Sequence, residues 1–389
     1  MNYGEESLRI HKEKKGKLAV VSKVPLATLD DLSIAYTPGV AAVSSAIAKE
    51  KNLVYEYTGK GNTVAIVTDG SAVLGLGNIG PEAALPVMEG KAVIFKEFAG
   101  IDAFPLCLAT QDTETIISIV KNIAPGIGAV NLEDISAPRC FEIEERLQDI
   151  GIPVFHDDQH GTAVVVLAGI MNAAKAVGKN LHELSVVISG AGAAGIAVTK
   201  LLSCIGADEK TCMPVRDIIV CDRKGIISKD RSDLNEIKKD IASRTNVSNK
   251  RGTIAEALIG SDVLIGVSAP NVITQDMIRS MAPRAIVFTL ANPVPEILPH
   301  LAKEAGAIVV ATGRSDFPNQ VNNALAYPGI FKGAFMARAS RITPAMKQAA
   351  ARSLAAFITE PSPENILPAL TNKSVAPTIA EAVCKAAAS

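Results

Sequence analysis

The sequence has 389 residues, of which 48% are hydrophobic and 20% charged, with a formal net charge of −1. That balance excludes a disordered chain, and a length beyond what one hydrophobic core usually serves predicts two domains. Lys and Arg are dispersed along the chain, so the electrostatic footprint of a nucleic-acid binder is absent and no such partner is expected.

The cysteines at 107, 140, 204, 212, 221 and 384 form no CxxC pair and sit mostly in apolar runs. They read as reduced, buried thiols of a cytoplasmic protein. The first twenty residues mix acids with bases around no apolar segment, and the run "TAVVVLAGIMNAA" is too short and interrupted to cross a bilayer. Neither a leader nor a membrane partner is expected.

In chain order, "NTVAIVTDG" reads as a strand, "PEAALPVMEGKAVIFKEFAG" as a helix, "IDAFPLCL" as a strand and "TETIISIVKNIAP" as a helix. The strand "IGAVNLED", the helix "SAPRCFEIEERLQDIG" and the strand "IPVFHDD" follow, before a long helix "GTAVVVLAGIMNAAKAVGK". A second series opens with the strand "LSVVIS" and continues through "DIIVCD", "DVLIGVSAP", "AIVFTLANP" and "AIVVATG", with helical stretches such as "DLNEIKKDIAS" between them. Strands alternating with helices predict an α/β protein of two domains, each a mostly parallel sheet flanked by helices. We place the first domain at 1–160 and the second, a Rossmann-type dinucleotide-binding domain, at 161–389. Alanine-rich helices beyond about residue 340, including "PAMKQAAARSLAAFI", are expected to pack back across the junction.

At the start of the second series, "VVISGAGAAGIAVTKLL" sets Gly190, Gly192 and Gly195 in a GxGxxG spacing between strand and helix, with Ala193 and Ala194 inside it. Small residues let the backbone approach a pyrophosphate, and the helix N-terminus offers free N–H groups. The next strand ends in Asp222, placed to accept hydrogen bonds from ribose hydroxyls, which favours NAD. Arg223 and Lys224 follow directly and suit a 2′-phosphate, so NADP stays open. Asp222 lies 32 residues beyond Gly190, farther than the usual ~20, a gap assigned to the polar insertion "GADEKTCMPVR".

Two acidic doublets end predicted strands of the first series: Glu133 and Asp134 in "GAVNLED", Asp157 and Asp158 in "PVFHDD". Ligands of open parallel sheets gather beyond the carboxyl ends of the strands. Acids aimed into one crevice repel unless a cation neutralises them, and oxygen-only ligands favour Mg²⁺ or Mn²⁺ over zinc. A zinc site on His156 and His160 would need a helix where the sequence reads as a strand. Helix capping alone also recruits single acids, although it explains two doublets at two strand ends less well.

The motifs "SIAYTPGVA", "VTDGSAVLGLGNIGP", "MEGKAVIFK", "NLEDI", "FHDDQHGTA", "GAGAAG", "LANPVPE" and "NNALAYPGIF", in this order, resemble the malic enzymes of the short prokaryotic type over nearly the whole chain. The resemblance implies divalent-metal-dependent oxidative decarboxylation of L-malate to pyruvate and CO₂ with reduction of NAD(P)⁺. It implies Glu133, Asp134 and Asp158 as metal ligands, Lys91 as general base assisted by Asp157, and Tyr36 as general acid. Asn292 and Asn323 would bond the substrate carboxylate and the nicotinamide carboxamide. Burial among apolar residues would lower the proton affinity of Lys91 toward that of a useful base. Longer members carry an arginine for a malate carboxylate in "DGERILGLGDLG", where this chain has Ala72, with Asn78 in place of the aspartate; that anchor is left unassigned. No acetyltransferase-like second activity and a homodimer are expected. A malolactic-type carboxy-lyase that retains NADH and a non-catalytic dinucleotide sensor are the rival readings.

Overall fold

The computed structural model describes residues 2–73, 75–206, 212 and 214–388. Short runs rich in Val and Ile build two sheets. In the first, β1 (Thr63–Thr68), β2 (Asp102–Cys107), β3 (Ala129–Leu132) and β4 (Val154–His156) are all parallel and lie in the order β2-β1-β3-β4. The acidic doublets following β3 and β4 therefore leave adjacent strands at one edge, as their spacing predicts.

The second sheet contains β5 (Ser185–Ser189), β6 (Asp217–Asp222), β7 (Gly225–Ile226), β8 (Val263–Gly266), β9 (Ala285–Thr289) and β10 (Ala307–Thr312). Its order is β10-β9-β8-β5-β6-β7, parallel except for β7, a short antiparallel addition to β6. From β5 the chain runs first to β6 on one side and then to β8 on the other. A crevice opens beyond the carboxyl end of β5, where a dinucleotide binds in such sheets.

The helix Asp157–Ala176 joins the sheets, with Val164, Val165, Val166, Leu167 and Ala168 buried in succession. A helix buried all round has neighbours on every side: here the helices Ala193–Leu202 and Pro344–Ala355 among others. C-terminal elements pack back on the first sheet's helix Pro81–Ala99, since the Phe95 ring centroid lies 4.7 Å from Tyr327 and 5.2 Å from Phe331. Val64 and Ile66 of the first sheet share one continuous core with Val186, Ile188 and Ile286 of the second. That shared core fixes the cleft between the sheets.

Two expectations are corrected. The long helix begins at Asp157 and not at Gly161, so β4 ends at His156 and both acids lie in the helix's first turn. Negative charge there is favoured by the free N–H groups of the helix start. The cysteines are not all reduced: Cys204 and Cys212 form a disulfide. The chain turns after Leu202, with Cys204 at φ 57°, and brings their Cα atoms to 5.8 Å, within bridging reach. Of the other four, Cys140 and Cys221 are buried while Cys107 and Cys384 are only partly so. The insertion "GADEKTCMPVR" lies largely outside the described residues.

The N-terminal helices Tyr3–Lys14, Leu29–Ala35 and Val40–Lys49 contain no buried residue. They and their connections expose Val20, Val21, Leu29, Ile34 and Tyr36. No helix among the described residues is long and apolar enough to cross a membrane.

Candidate active site

Beyond the shared edge of β3 and β4, one ligand oxygen from each of Glu133, Asp134 and Asp158 lies within 4.8 Å of the others. Asp134 adopts a left-handed backbone, φ 53°, uncommon for a residue with a side chain and typical of functional sites. Its N–H donates to Asp158 Oδ2 at 2.8 Å, tying the two strand ends together. Loss of solvent raises the Asp158 carboxyl to about 6 and raises that of Glu133 as well. Such a cluster of acids is stabilised by a cation, and an all-oxygen donor set fits Mg²⁺ or Mn²⁺.

Lys91, on the helix Pro81–Ala99, reaches into the cluster from behind. Its Nζ lies 2.6 Å from Glu133 Oε2, 2.5 Å from Asp157 Oδ2 and 4.3 Å from the Tyr327 ring centroid. The expected fall in its proton affinity is overturned. Burial does disfavour the ammonium, but Asp157 and Glu133 outweigh it and hold Lys91 well above the usual lysine range. Asp157 is pushed up to about 7 by burial, against the pull of Lys91. A Cβ at position 161 would sit 1.8 Å from Asp157 Oδ1, so Gly161 makes the room this carboxylate occupies.

A cavity of about 660 Å³ between the sheets joins the acids to the second domain. Asp134, Asp158, Ala193, Ala194, Asn292 and Asn323 all line it. The glycine loop behaves as its spacing predicts. Gly190 has φ 117°, a Cβ at Gly195 would lie 1.8 Å from Gly190 O, and a Cβ at Gly192 would meet nothing. The first and third glycines let the turn close, and the second leaves the open cradle a pyrophosphate needs.

Other candidates sit elsewhere. Asp222 has both oxygens engaged, by Arg231 at 2.8 and 3.2 Å, by Lys238 Nζ at 2.6 Å and by the Lys224 N–H at 2.9 Å. Arg223 is exposed beside it. Tyr36 is 67% exposed, and its hydroxyl bonds none of the described residues of the cluster. Ala72 lines the cavity, while Asn78 pairs with Gln111. No arginine or lysine is among the described residues lining that cavity. The helix start does put His160 one turn beyond His156, but His160 Nε2 is 2.9 Å from Glu144 Oε2, a bond that a zinc ligand at that nitrogen would have to break.

Sequence reading passed over three buried groups. Glu144, on the helix Arg139–Glu145, accepts from the His156 N–H, Gln159 and His160. Glu296 accepts from the Ser268 N–H at 2.7 Å and the Ala291 N–H at 3.1 Å, joining the loops after β8 and β9 that line the cavity. Tyr327 lies fully buried against Lys91. Glu144 resembles one acid of an amphipathic helix, and only its three partners on the next strand and helix reveal it; Glu296 and Tyr327 fall inside the family motifs "LANPVPE" and "NNALAYPGIF".

Residues 15–148 match the family model for the malic enzyme N-terminal domain, and residues 159–388 the model for the malic enzyme NAD-binding domain. The chain is 54% identical over 391 aligned residues to the bifunctional malic/malolactic enzyme of Bacillus subtilis, covering 100% of this chain and 93% of that one. It is 54% identical to the NAD-dependent malic enzyme of Geobacillus stearothermophilus, covering 96% of this chain and 77% of the other. The crystal structure of the NAD-dependent malic enzyme of Thermotoga maritima superposes with a TM-score of 0.92 at 49% identity, covering 97% and 98% of the two chains. With both domain models matched in order and a site of this chemistry between them, the chain belongs to the malic enzyme family.

Proposed function

We propose that this protein oxidatively decarboxylates L-malate to pyruvate and CO₂ with reduction of NAD(P)⁺, in a reaction dependent on Mg²⁺ or Mn²⁺. The observation that carries this reading is the single cavity into which Asp134, Asp158, the glycine loop, Asn292 and Asn323 open, with Lys91 behind Glu133.

Glu133, Asp134 and Asp158 would hold the divalent cation. Bound together, the cation supplies Lewis acidity and the nicotinamide a hydride acceptor. Lys91, charged at rest, hands a proton to the Asp157 carboxylate 2.5 Å from Nζ and, as the neutral amine, takes the proton from the C2 hydroxyl of malate. Asn292 and Asn323 orient the substrate carboxylate and the cofactor carboxamide, a role supported by their place in the lining. Tyr36 protonates C3 after the C4 carboxylate departs.

The exposure of Tyr36 supports a further element of this reading. An N-terminal segment that buries nothing and exposes several large apolar side chains needs a partner to cover it. A second copy of this chain fills that role, giving a homodimer in which Tyr36 is brought to a catalytic cavity. A cytoplasmic setting is supported by the two buried free thiols, Cys140 and Cys221, and opposed by the Cys204–Cys212 disulfide.

Malate-dependent rise in absorbance at 340 nm, present with Mn²⁺ and abolished by chelator, tests the proposal. A second reading is favoured by the name of the Bacillus subtilis relative, which carries malolactic activity as well. Lactate released with no accumulation of reduced cofactor would establish that reaction instead. A sensor without catalysis would bind dinucleotide and leave malate unchanged.

A further inference from the structure

The first turn of the helix Asp157–Ala176 carries the proton relay and a proposed metal ligand, yet its N-cap residue, His156, makes no side-chain capping bond. Glu144 grips this turn through residues other than those that meet Lys91. Its Oε1 accepts the His156 N–H at 2.9 Å, and its Oε2 accepts from Gln159 Nε2 at 3.1 Å and from His160 Nε2 at 2.9 Å. One carboxylate thus meets three residues of "HDDQH", those at positions 156, 159 and 160. Between them lie Asp157, bonded to Lys91, and Asp158, bonded to the Asp134 N–H.

A buried carboxylate is costly unless its oxygens are hydrogen-bonded, and bonds to an ionised acceptor are about twice as strong as neutral ones. Glu144 meets that condition with donors drawn mostly from this turn, so its requirement for partners holds the turn in place. An ionised carboxylate also lies favourably at a helix N-terminus. As an acceptor only, it requires the proton on Nε2 of His160 and so fixes that ring. Lys347, from the helix Pro344–Ala355, adds a positive charge on the same side. Glu144 and Lys347 line a separate cavity of about 310 Å³, outside the one that receives substrate.

We infer that Glu144 is a positioning residue for the metal site: it sets the orientation of Asp158 and Asp157 without touching cation, malate or cofactor. This rests on the proposed metal site. Outer partners that orient metal ligands are typically worth 10–100-fold in affinity. Glu144→Gln keeps the size but leaves fewer acceptor sites and adds donors facing Gln159 and His160.

The test measures Mn²⁺ binding by electron paramagnetic resonance on substrate-free protein, together with kinetics and NAD(P)⁺ binding. Glu144→Gln is expected to weaken Mn²⁺ binding at least tenfold and to raise the Mn²⁺ concentration needed for half-maximal rate, with dinucleotide affinity within twofold of wild type. Glu145→Gln, an exposed neighbour, should change nothing. Gln159→Met removes one of the three bonds, guards against misfolding of the first variant, and should weaken Mn²⁺ about threefold. If Asp158→Asn abolishes Mn²⁺ binding while Glu144→Gln and Gln159→Met bind as wild type, the inference falls and the metal site stands. If wild type binds no Mn²⁺, the metal site itself falls.

Discussion

Lys91 and Asp157 form a buried ion pair, with Nζ 2.5 Å from Oδ2, at the junction of two helices that belong to opposite ends of the first sheet's chain path. The pair makes the base and its relay one titrating unit: the carboxylate that keeps the lysine charged is also the group best placed to take its proton.

Lys91→Met should therefore lower malate oxidation by about 10²–10⁴-fold, the range for loss of a positioned acid–base group. Dinucleotide affinity should stay within about twofold, since the glycine loop does not touch Lys91. Removing one partner of a buried pair also leaves Asp157 and Glu133 without their cation, a loss of about 3–5 kcal/mol. Thermal unfolding should show that loss in chelator, with partial recovery on adding Mn²⁺. Wild-type turnover by this variant would exclude Lys91 as the base.

How Tyr36 reaches a cavity is tested by complementation. Tyr36→Phe and Lys91→Met are each expected to be inactive as pure dimers. If Tyr36 serves the other copy's cavity, mixing and reassembling the two proteins yields heterodimers with one cavity lacking both groups and one intact, so activity returns to about a quarter of wild type in a statistical mixture. If Tyr36 serves its own cavity, every cavity keeps one lesion and no activity returns. A fully active monomer, measured by sedimentation with activity in the same sample, would remove the dimer proposal.

The parallel sheets, the glycine loop and the acidic doublets were legible because each is local. An apolar run bounded by turns marks a buried strand, and GxGxxG after such a run marks its own loop. Asp134 and Asp158 converge as their strand ends predict. What was not legible depends on charge meeting charge across the fold. Lys91 looks isolated in "EGKAVIF", and only the neighbours Glu133 and Asp157 reverse the direction of its shift. Asp222 likewise reads as a free acceptor until Arg231 and Lys238, nine and sixteen residues later, are seen to engage it. The Cys204–Cys212 bridge joins two cysteines whose spacing matches no disulfide or metal motif.

That engagement of Asp222 is expected to bear on cofactor choice. A carboxylate paired with two cations accepts ribose hydroxyls less readily, while Arg223, Lys224 and Lys238 add positive charge near the same strand end. Lys238→Ala should remove one of the two donors on Asp222 Oδ2, leaving only Arg231 at 3.2 Å on that oxygen, and withdraw one cation. The ratio of kcat/KM for NAD⁺ over that for NADP⁺ is expected to rise by roughly tenfold, one charge-assisted hydrogen bond's worth of about 1.5 kcal/mol. An unchanged ratio would show that Lys238 is not in contact with the adenosine end of the cofactor.

The acid stability of the protein should carry the signature of Glu144. Burial alone would raise this carboxyl, but His160, by charge and by hydrogen bond, and Lys347 hold it at about 2, below the ordinary 4.5. A carboxylate whose proton affinity is lower in the folded state stabilises the fold above pH 4.5 and loses that contribution as the pH falls toward 2. A shift of this size corresponds to roughly 3 kcal/mol. The difference in unfolding free energy between wild type and Glu144→Gln should therefore shrink below pH 4.5. Chemical denaturation of both proteins on either side of that pH measures it. A difference that stays constant down to pH 3 would mean that Glu144 is no more acidic in the fold than in the unfolded chain, and that its three hydrogen bonds do not hold the turn beneath Asp157 and Asp158.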